Sequence, residues 1–540
     1  MKSIVLCPLT IFLLLLITKN PVNCGKILMV ALAPLYSHQL PFRTLAQILA
    51  NRGHEVVLVS ALTVKNSSLI NYREIDFSVA YKILEMKELS EFYMNYATLT
   101  KYEVVKFVSY LGTIITKYFY THPEIKKIYT SGNKEKFDLV IVEGVISCAA
   151  FAIAHMLNVP FIGLISMNLH MYHNYLLGAP VLPSHVSNWE LPDYVDTDMS
   201  FWKRLQAYVV ASLTVFQWYN YETGEQEKCI RNLIGKDLPP FYDIAKNMSL
   251  LLVNHNPLFE DARPLPPNVI QFTSFHIAEN LPPLPTELDE FFGNTSNGFI
   301  YMSLGNTVKS SIVLSKVVKE IYNAFSRLPY KVLWKYDEDD IPKGNGNILI
   351  SKWTPQESVL AHPNIKLFIY QGGMQSTEEA VYYGVPTLGV PIMFEQIYRI
   401  RKLVSLGVCK MVDISKINEE MFYEAVLDVI NNKSYKEKMT ELSRLTKDVP
   451  YDSKENVVWW VEYVMRNKGA PHLRFSGADD PWYQRYDMDI IVFFSIVLFI
   501  VTTICVIAFV QISRWLYKHL LLLLCVSEYF PLLRGKNKIV

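Results

Sequence analysis

Short, nearly uninterrupted apolar runs recur along this chain, each bounded by a turn and followed by a helical pattern, and the whole series occurs twice. That rhythm restricts the fold to open α/β sheets, because strands carrying Val, Ile and Leu on both faces need helices over both. The first series opens with GKILMVALA (25–33), continues through PLYSHQLPFRTLAQILANRG (34–53) and returns in HEVVLVSA (54–61), a β-α-β unit. FDLVIVEG (137–144) and PFIGLIS (160–166) add strands on either side of the helical SCAAFAIAHMLN. The second series restarts at GFIYMSLGN (298–306) and runs through YKVLWKY (330–336), NILISKW (347–353) and IKLFIY (365–370). Between the two, PLPPNVIQ and ENLPPLPTEL are proline-rich and helix-poor, so a linker near 262–290 is the boundary. Two open parallel sheets facing each other would align the C-terminal ends of their strands along one cleft.

The two ends of the chain carry different signals. Residues 1–24 combine Lys2, an apolar stretch and small residues near the end, which reads as a cleaved secretory leader. Residues 490–511 are uncharged and long enough to cross a bilayer. Asp487 and Asp489 precede them and Arg514, Lys518, Arg534, Lys536 and Lys538 follow, so the tail 512–540 is expected in the cytoplasm and the bulk of the chain in the lumen. Residues 466–489 form a juxtamembrane segment. The later run LLLLLCVSEYFPLL is broken by Glu528 and Pro531 and reads as an interfacial stretch. The final KNKIV resembles a dibasic retrieval signal of the endoplasmic reticulum membrane, or else is a plain basic tail. Of the luminal cysteines Cys148, Cys229 and Cys409, one pair could bridge, and the spacing does not say which. Sequons begin at Asn66, Asn247, Asn294 and Asn432, which suits glycosylation in a luminal domain. Lys+Arg 52 against Asp+Glu 51 leaves no footprint for nucleic acid.

The most informative stretch is LFIYQGGMQSTEEAVYYGVPTLGVPIMFEQ (367–396). A buried strand ends at Gly372 and Gly373, and a helix over 374–383 follows, closed by Gly384. Strand, glycine turn and helix N-terminus together make an anion site, because unpaired backbone N–H groups and the helix dipole favour phosphate. The competing reading is an ordinary strand–helix turn. No GxGxxG follows a strand, and no HExxH, paired CxxC or GxSxG pattern occurs, which lowers the odds of nicotinamide, zinc or serine-nucleophile chemistry. The lone histidines of AHMLN and FHIAEN read as structural.

These residues carry a resemblance. KWTPQESVLAHPNIKLFIYQGGMQSTEEAVYYGVPTLGVPIMFEQ (352–396) is similar to the signature segment of the UDP-glycosyltransferases, in the membrane-bound animal branch of glucuronosyl- and arthropod glucosyltransferases. The similarity extends to YSHQ (36–39), LLVNHNPLFEDARPLPPNVI (251–270), KGAPHLR (468–474) and PWYQ (481–484). It implies two facing Rossmann-like domains of GT-B type, 25–275 for the acceptor and 276–465 for UDP-sugar, plus one C-terminal transmembrane helix. It implies that Trp353 stacks on uracil beside Gln356, although without the resemblance Trp353 would read as a core aromatic. Glu379 matches the carboxylate that accepts the ribose hydroxyls, whereas its neighbour Glu378 reads as a solvated helix carboxylate. Gln371, Gly373, Gln375 and Ser376 match the phosphate-binding positions, Gly305 a further UDP-sugar-binding position, and Glu395 with Gln396 the pair that binds sugar hydroxyls. Departures are visible: Gln371 stands where the family usually has His, and an amide carries no charge at any pH. Asn306 after Gly305 and Glu395 in place of Asp are further ones.

Sugar transfer to a hydroxyl needs a base for the acceptor's proton. The resemblance assigns that role to His38, in the turn after the first strand, with UDP leaving under inversion. The residue that orients it is usually Asp, and this chain has Glu143. If the longer side chain is a compromise, Glu143→Asp should retain or improve activity. The same departure sustains an alternative: a catalytically impaired relative that binds UDP-sugar or lipophilic ligands without turnover. No cofactor and no metal are implied. The acceptor is expected to be a small lipophilic alcohol or phenol, bound near residues 91–112 and 167–180, with glucose favoured over glucuronate as the sugar. A homo-oligomer is compatible with the sequence. Neither Arg399 nor Arg401 can be set against a carboxylate from sequence.

Overall fold

The computed structural model describes residues 24–534 except 64–68, 97–98, 131–134, 146–147, 182–188, 192–198, 236–237, 294–296, 306–314, 337–345 and 393–394. Residues 1–23 of the expected leader, Asn66, Asn294, Asn306 and the terminal KNKIV therefore lie outside the described residues.

The apolar runs form two wholly parallel sheets. The first contains β1 (Lys26–Ala31), β2 (Glu55–Ser60), β3 (Tyr72–Asp76), β4 (Leu139–Glu143), β5 (Phe161–Ile165), β6 (Leu250–Asn254) and β7 (Val269–Phe272). Its order is β3-β2-β1-β4-β5-β6-β7. In register, Leu28 lies between Val57 and Val140. Alternate residues therefore face opposite ways and feed separate cores. Leu28, Val30, Val57 and Val142 join Val105 and Phe119 on one side, and Ile27, Met29, Val56 and Ile141 join Phe42 and Leu45 on the other. Phe42 and Leu45 belong to helix α1 (Tyr36–Asn51). Val105 and Phe119 belong to α2 (Lys101–Thr121), which starts at a reciprocal Thr100–Glu103 capping box. The long α3 (Phe201–Ile234) packs beside α2, adding Trp218 and Ile230 to the same core.

The second sheet contains β8 (Phe299–Ser303), β9 (Lys331–Lys335), β10 (Ile348–Ser351), β11 (Ile365–Tyr370), β12 (Thr387–Gly389) and β13 (Cys409–Met411), ordered β10-β9-β8-β11-β12-β13. Around its cleft edge stand α4 (Gln356–Leu360), α5 (Met374–Tyr382) and α6 (Glu395–Ser405). In both sheets the strand order reverses beside the first strand of the series, between β1 and β4 and between β8 and β11. Crevices for ligands open at such points.

The chain then doubles back. Helix α7 (Ser453–Asn467) follows the second sheet in sequence but lays Val457, Val458, Val461 and Val464 on the Ile27 face of the first. The described residues up to Phe475 form one compact unit, and a second begins at Ser476.

The second unit is dominated by α8 (Met488–Arg534), a continuous helix of 47 residues. The sequence suggested a span over 490–511 and a separate interfacial stretch, yet the helix runs on through Glu528 and Pro531. The leucine run between is a good helix former. Its portion Met488–Val526 is long and apolar enough to cross a membrane.

Candidate active site

The reversal between β1 and β4 positions the first pair of candidate side chains. Glu143 is the last residue of β4, and His38 stands in the first turn of α1, where the sequence suggested a turn after the strand. Glu143 Oε1 lies 2.6 Å from His38 Nδ1. Its other oxygen accepts the backbone N–H of Leu32 at 2.8 Å and of Ala33 at 2.6 Å. A carboxylate only accepts, so the short contact puts the proton on Nδ1 and leaves Nε2 as the basic lone pair. Both side chains are buried, His38 at 8% exposure and Glu143 at 2%. The turn beneath them is stiffened by Gln39, which donates to the Ala31 and Ala33 carbonyls and accepts from Ser60 Oγ at 2.7 Å. Behind Glu143, His173 Nε2 donates to the Gly144 carbonyl at 2.6 Å. Burial and the neighbouring His170 push His173 down to about 3, so it is a neutral donor. Sequence reasoning missed it, because nothing local connects residue 173 to residue 144.

The reversal between β8 and β11 gathers the second set. Gly305 and Gly372 adopt φ of +83° and +96°, the left-handed region that favours glycine. A Cβ on Gly305 would run into the Gln371 amide. The Gln371 side chain is buried, and its Oε1 has no partner among the described residues. Lys335 Nζ donates to the Gly305 carbonyl at 3.2 Å, placing a cation at this turn that the sequence reading did not single out. Gly373 is the N-cap of α5, so the free N–H groups of that helix begin here. Gln356 Nε2 donates to Ser376 Oγ at 2.9 Å and to Glu379 Oε2 at 2.8 Å, and its Oε1 accepts from Tyr301. Trp353 is 67% exposed, so it is not a core aromatic. Glu395 and Gln396 open α6. Glu395 is half-buried, and Gln396 Oε1 accepts the Ile392 N–H at 3.0 Å.

Gln375 reaches across the cleft. Its Nε2 donates to the Ser37 carbonyl at 2.7 Å, next to His38. That carbonyl is available because the residue four places on, Pro41, has no N–H to offer it.

One expectation is corrected here. Glu378 is not solvated but fully buried, accepting from Asn254 Nδ2 at 3.0 Å, Thr273 Oγ1 at 2.9 Å and the Ser274 N–H at 2.6 Å. His276, read as structural, is buried and contacts Glu379 Oε1 at 3.1 Å and Glu378 Oε2 at 3.5 Å. Burial alone would lower the His276 pKa, but the hydrogen bond to Glu379 and the charges of Glu378, Glu379 and Glu357 outweigh it and raise the value. Burial also raises Glu378.

Of the segments expected to bind an acceptor, Met171, Tyr172, Leu176 and Leu177 are buried, as is Val105 of α2, whereas Tyr102 and Tyr110 of α2 are exposed. Asn247 and Asn432 are exposed at helix ends. Cys229 and Cys409 are free thiols, and burial pushes Cys409 up to about 12. Among the described residues, no three His, Cys, Asp or Glu side chains gather so as to hold a metal ion.

Known proteins bear on this geometry. Residues 25–521 match the family described as UDP-glucoronosyl and UDP-glucosyl transferase. The chain is 31% identical to UDP-glycosyltransferase UGT5 of Dactylopius coccus, over 83% of this chain and 85% of that one. It is 30% identical to UDP-glucosyltransferase 2 of the same insect, over 92% and 95%. Among solved structures, Os79 from O. sativa, in complex with U2F and trichothecene, aligns with a TM-score of 0.55 at 15% identity, covering 81% of this chain and all of that one. That last likeness concerns the fold, which is the two-sheet GT-B architecture.

Proposed function

We propose, for a chain that belongs to the UDP-glucoronosyl and UDP-glucosyl transferase family and is a UDP-glycosyltransferase, that it moves a hexose from UDP to a hydroxyl of a small lipophilic acceptor with inversion. Glucose is the favoured sugar, since the similar insect protein is named a glucosyltransferase. In this reading His38 Nε2 takes the acceptor's proton as the hydroxyl oxygen attacks the anomeric carbon. The bond to the diphosphate breaks, UDP departs from the opposite face, and the imidazolium formed is stabilised by Glu143. The donor rests with uracil on Trp353, ribose on Glu379, phosphates at the Gln371–Ser376 turn and sugar hydroxyls near Glu395 and Gln396. Donor groups and the α5 dipole offset the charge on leaving UDP, so a chelator should leave turnover unchanged, and a strict Mg²⁺ or Mn²⁺ requirement would contradict that. The apolar α8 anchors the chain as a single pass in the endoplasmic reticulum membrane with the two sheets in the lumen, a placement supported by the charge asymmetry around residues 490–511.

The observation that carries the reading is the 2.6 Å contact between His38 and Glu143. It favours turnover over a binding-only relative, because the substituted acid still reaches the imidazole. The test is single-turnover transfer from UDP-glucose to a panel of phenols, alongside UDP binding, in wild type and His38→Ala. Turnover should fall roughly 10²–10⁴-fold with UDP affinity unchanged. Wild-type turnover in His38→Ala would refute the base assignment.

A further inference from the structure

The turn that the proposed function gives to the diphosphate has a buried cation behind it. Arg399, in the second turn of α6, is fully buried, and its Nη1 donates to the Gly372 carbonyl at 2.7 Å. Its Nε and Nη2 have no hydrogen-bond partner among the described residues. The countercharge is Glu260, 3.7 Å from Nη2. That carboxylate is shared with Asn168 Nδ2 at 2.7 Å, His255 Nδ1 at 3.0 Å and the Asn256 N–H at 3.3 Å. The guanidinium is therefore only partly neutralised, and in dry surroundings its field carries further than that of a solvated lysine.

The geometry of one peptide bond gives this contact its consequence. No described peptide is cis, and in a trans peptide the carbonyl and the following N–H point in opposite directions. With the Gly372 carbonyl held against α6, the Gly373 N–H must face away from α6, at the N-cap of α5. Gly372 is also pressed on α6 sterically: a Cβ there would lie 2.8 Å from Ile400 Cγ1 and 3.0 Å from the Gln396 carbonyl. One face of α6 thus moulds the turn.

We propose that Arg399 is a positioning residue for the diphosphate: it fixes the Gly372–Gly373 peptide so that its N–H serves the phosphates. It also lends the turn the permanent positive charge that Gln371 does not carry. The inference rests on the reading that residues 371–376 hold the donor's phosphates.

The test compares uridine with UDP as ligands of the detergent-solubilised full chain. Wild type, Arg399→Lys, Arg399→Gln and the double variant Arg399→Gln/Glu260→Gln are titrated calorimetrically. The double variant removes both buried charges together, so that neither is left unpaired. Uridine affinity should stay within about twofold throughout, since no phosphate is present, while UDP affinity should drop about tenfold in both Gln variants. Arg399→Lys should recover only part, being a point charge without the planar fork. An unchanged preference for UDP over uridine in a Gln variant that still binds uridine would overturn the proposal. A wild-type protein with no preference for UDP over uridine would instead overturn the phosphate reading beneath it.

Discussion

Glu143 spends its extra methylene usefully. From the end of β4 it spans two backbone N–H groups and the His38 ring at once, all within 2.8 Å. The shorter Asp, which a compromise would have favoured, cannot keep all of those contacts from the same Cα. Glu143→Asp is therefore expected to lower turnover about tenfold or more, and to destabilise the fold by about 1–3 kcal/mol for each buried N–H it leaves unmatched. Activity at or above wild type, measured by the same transfer assay, would show that the strand end adjusts. Trp353 presents the opposite case, a large aromatic with little packing to lose. Trp353→Ala should change stability by less than about 0.5 kcal/mol while weakening uridine binding by the roughly 1–3 kcal/mol that base stacking contributes. Thermal unfolding and uridine titration separate the two. At this scale the resemblance pointed to His38, Trp353, Gln356 and Glu379 because they lie in contiguous motifs, and to Glu143 through its spacing from Asp138 in FDLVIVEG. His173, Lys335 and Arg399 escaped because each acts on a backbone carbonyl distant in sequence, and a carbonyl leaves no trace in residue identity.

Helix α5 shows why an element can mislead a reader of its sequence. Its strand–turn–helix outline was plain from LFIYQGGMQSTEEAVYY, and it forms as expected. Which residues face water was not plain, because structure encloses this helix on several sides. Gln375 points to Ser37, Ser376 and Glu379 to Gln356, and Glu378 into the Thr273–His276 segment. An amphipathic count assigns Glu378 to solvent only if one side is open. The buried cluster gives the helix a pH dependence whose sign follows from the direction of the shifts. His276 is raised in the folded state, so its contribution to stability is complete below about pH 6.5 and is lost as pH rises through the folded value. Glu378 is raised as well and acts in the same direction, from a lower starting point. The gap in unfolding midpoint between wild type and His276→Gln should therefore be wide near pH 6 and shrink by pH 9. A gap that widens with pH would show the assignment to be reversed.

At the level of the whole molecule, two sheets with their reversal points facing one cleft were legible from the repeated strand–helix rhythm and the proline-rich boundary. The return of α7 to the first sheet was not, since Val457, Val458, Val461 and Val464 give an apolar face but no address for it. A fragment ending at residue 275 would leave Ile27, Met29 and Ile141 without that cover. It is expected to aggregate, whereas the same fragment with residues 450–475 appended through a flexible linker should stay soluble and monomeric by gel filtration. Equal solubility of the two would mean that α7 is dispensable. The doubling back also means that the polypeptide passes between the halves twice, and the passages lie side by side: the Thr273 N–H donates to Ser453 Oγ at 3.2 Å, and Lys454 Nζ to the Ile277 carbonyl at 2.8 Å. Two strands fastened at one edge act as the pin of a door. Points beside a pin sweep short arcs and points far from it sweep long ones. Glu378 is bonded to Thr273 and Ser274 and so sits against the pin, with Glu379 next to it. A swing that widens the mouth of the cleft would therefore hardly alter the surroundings of Glu379.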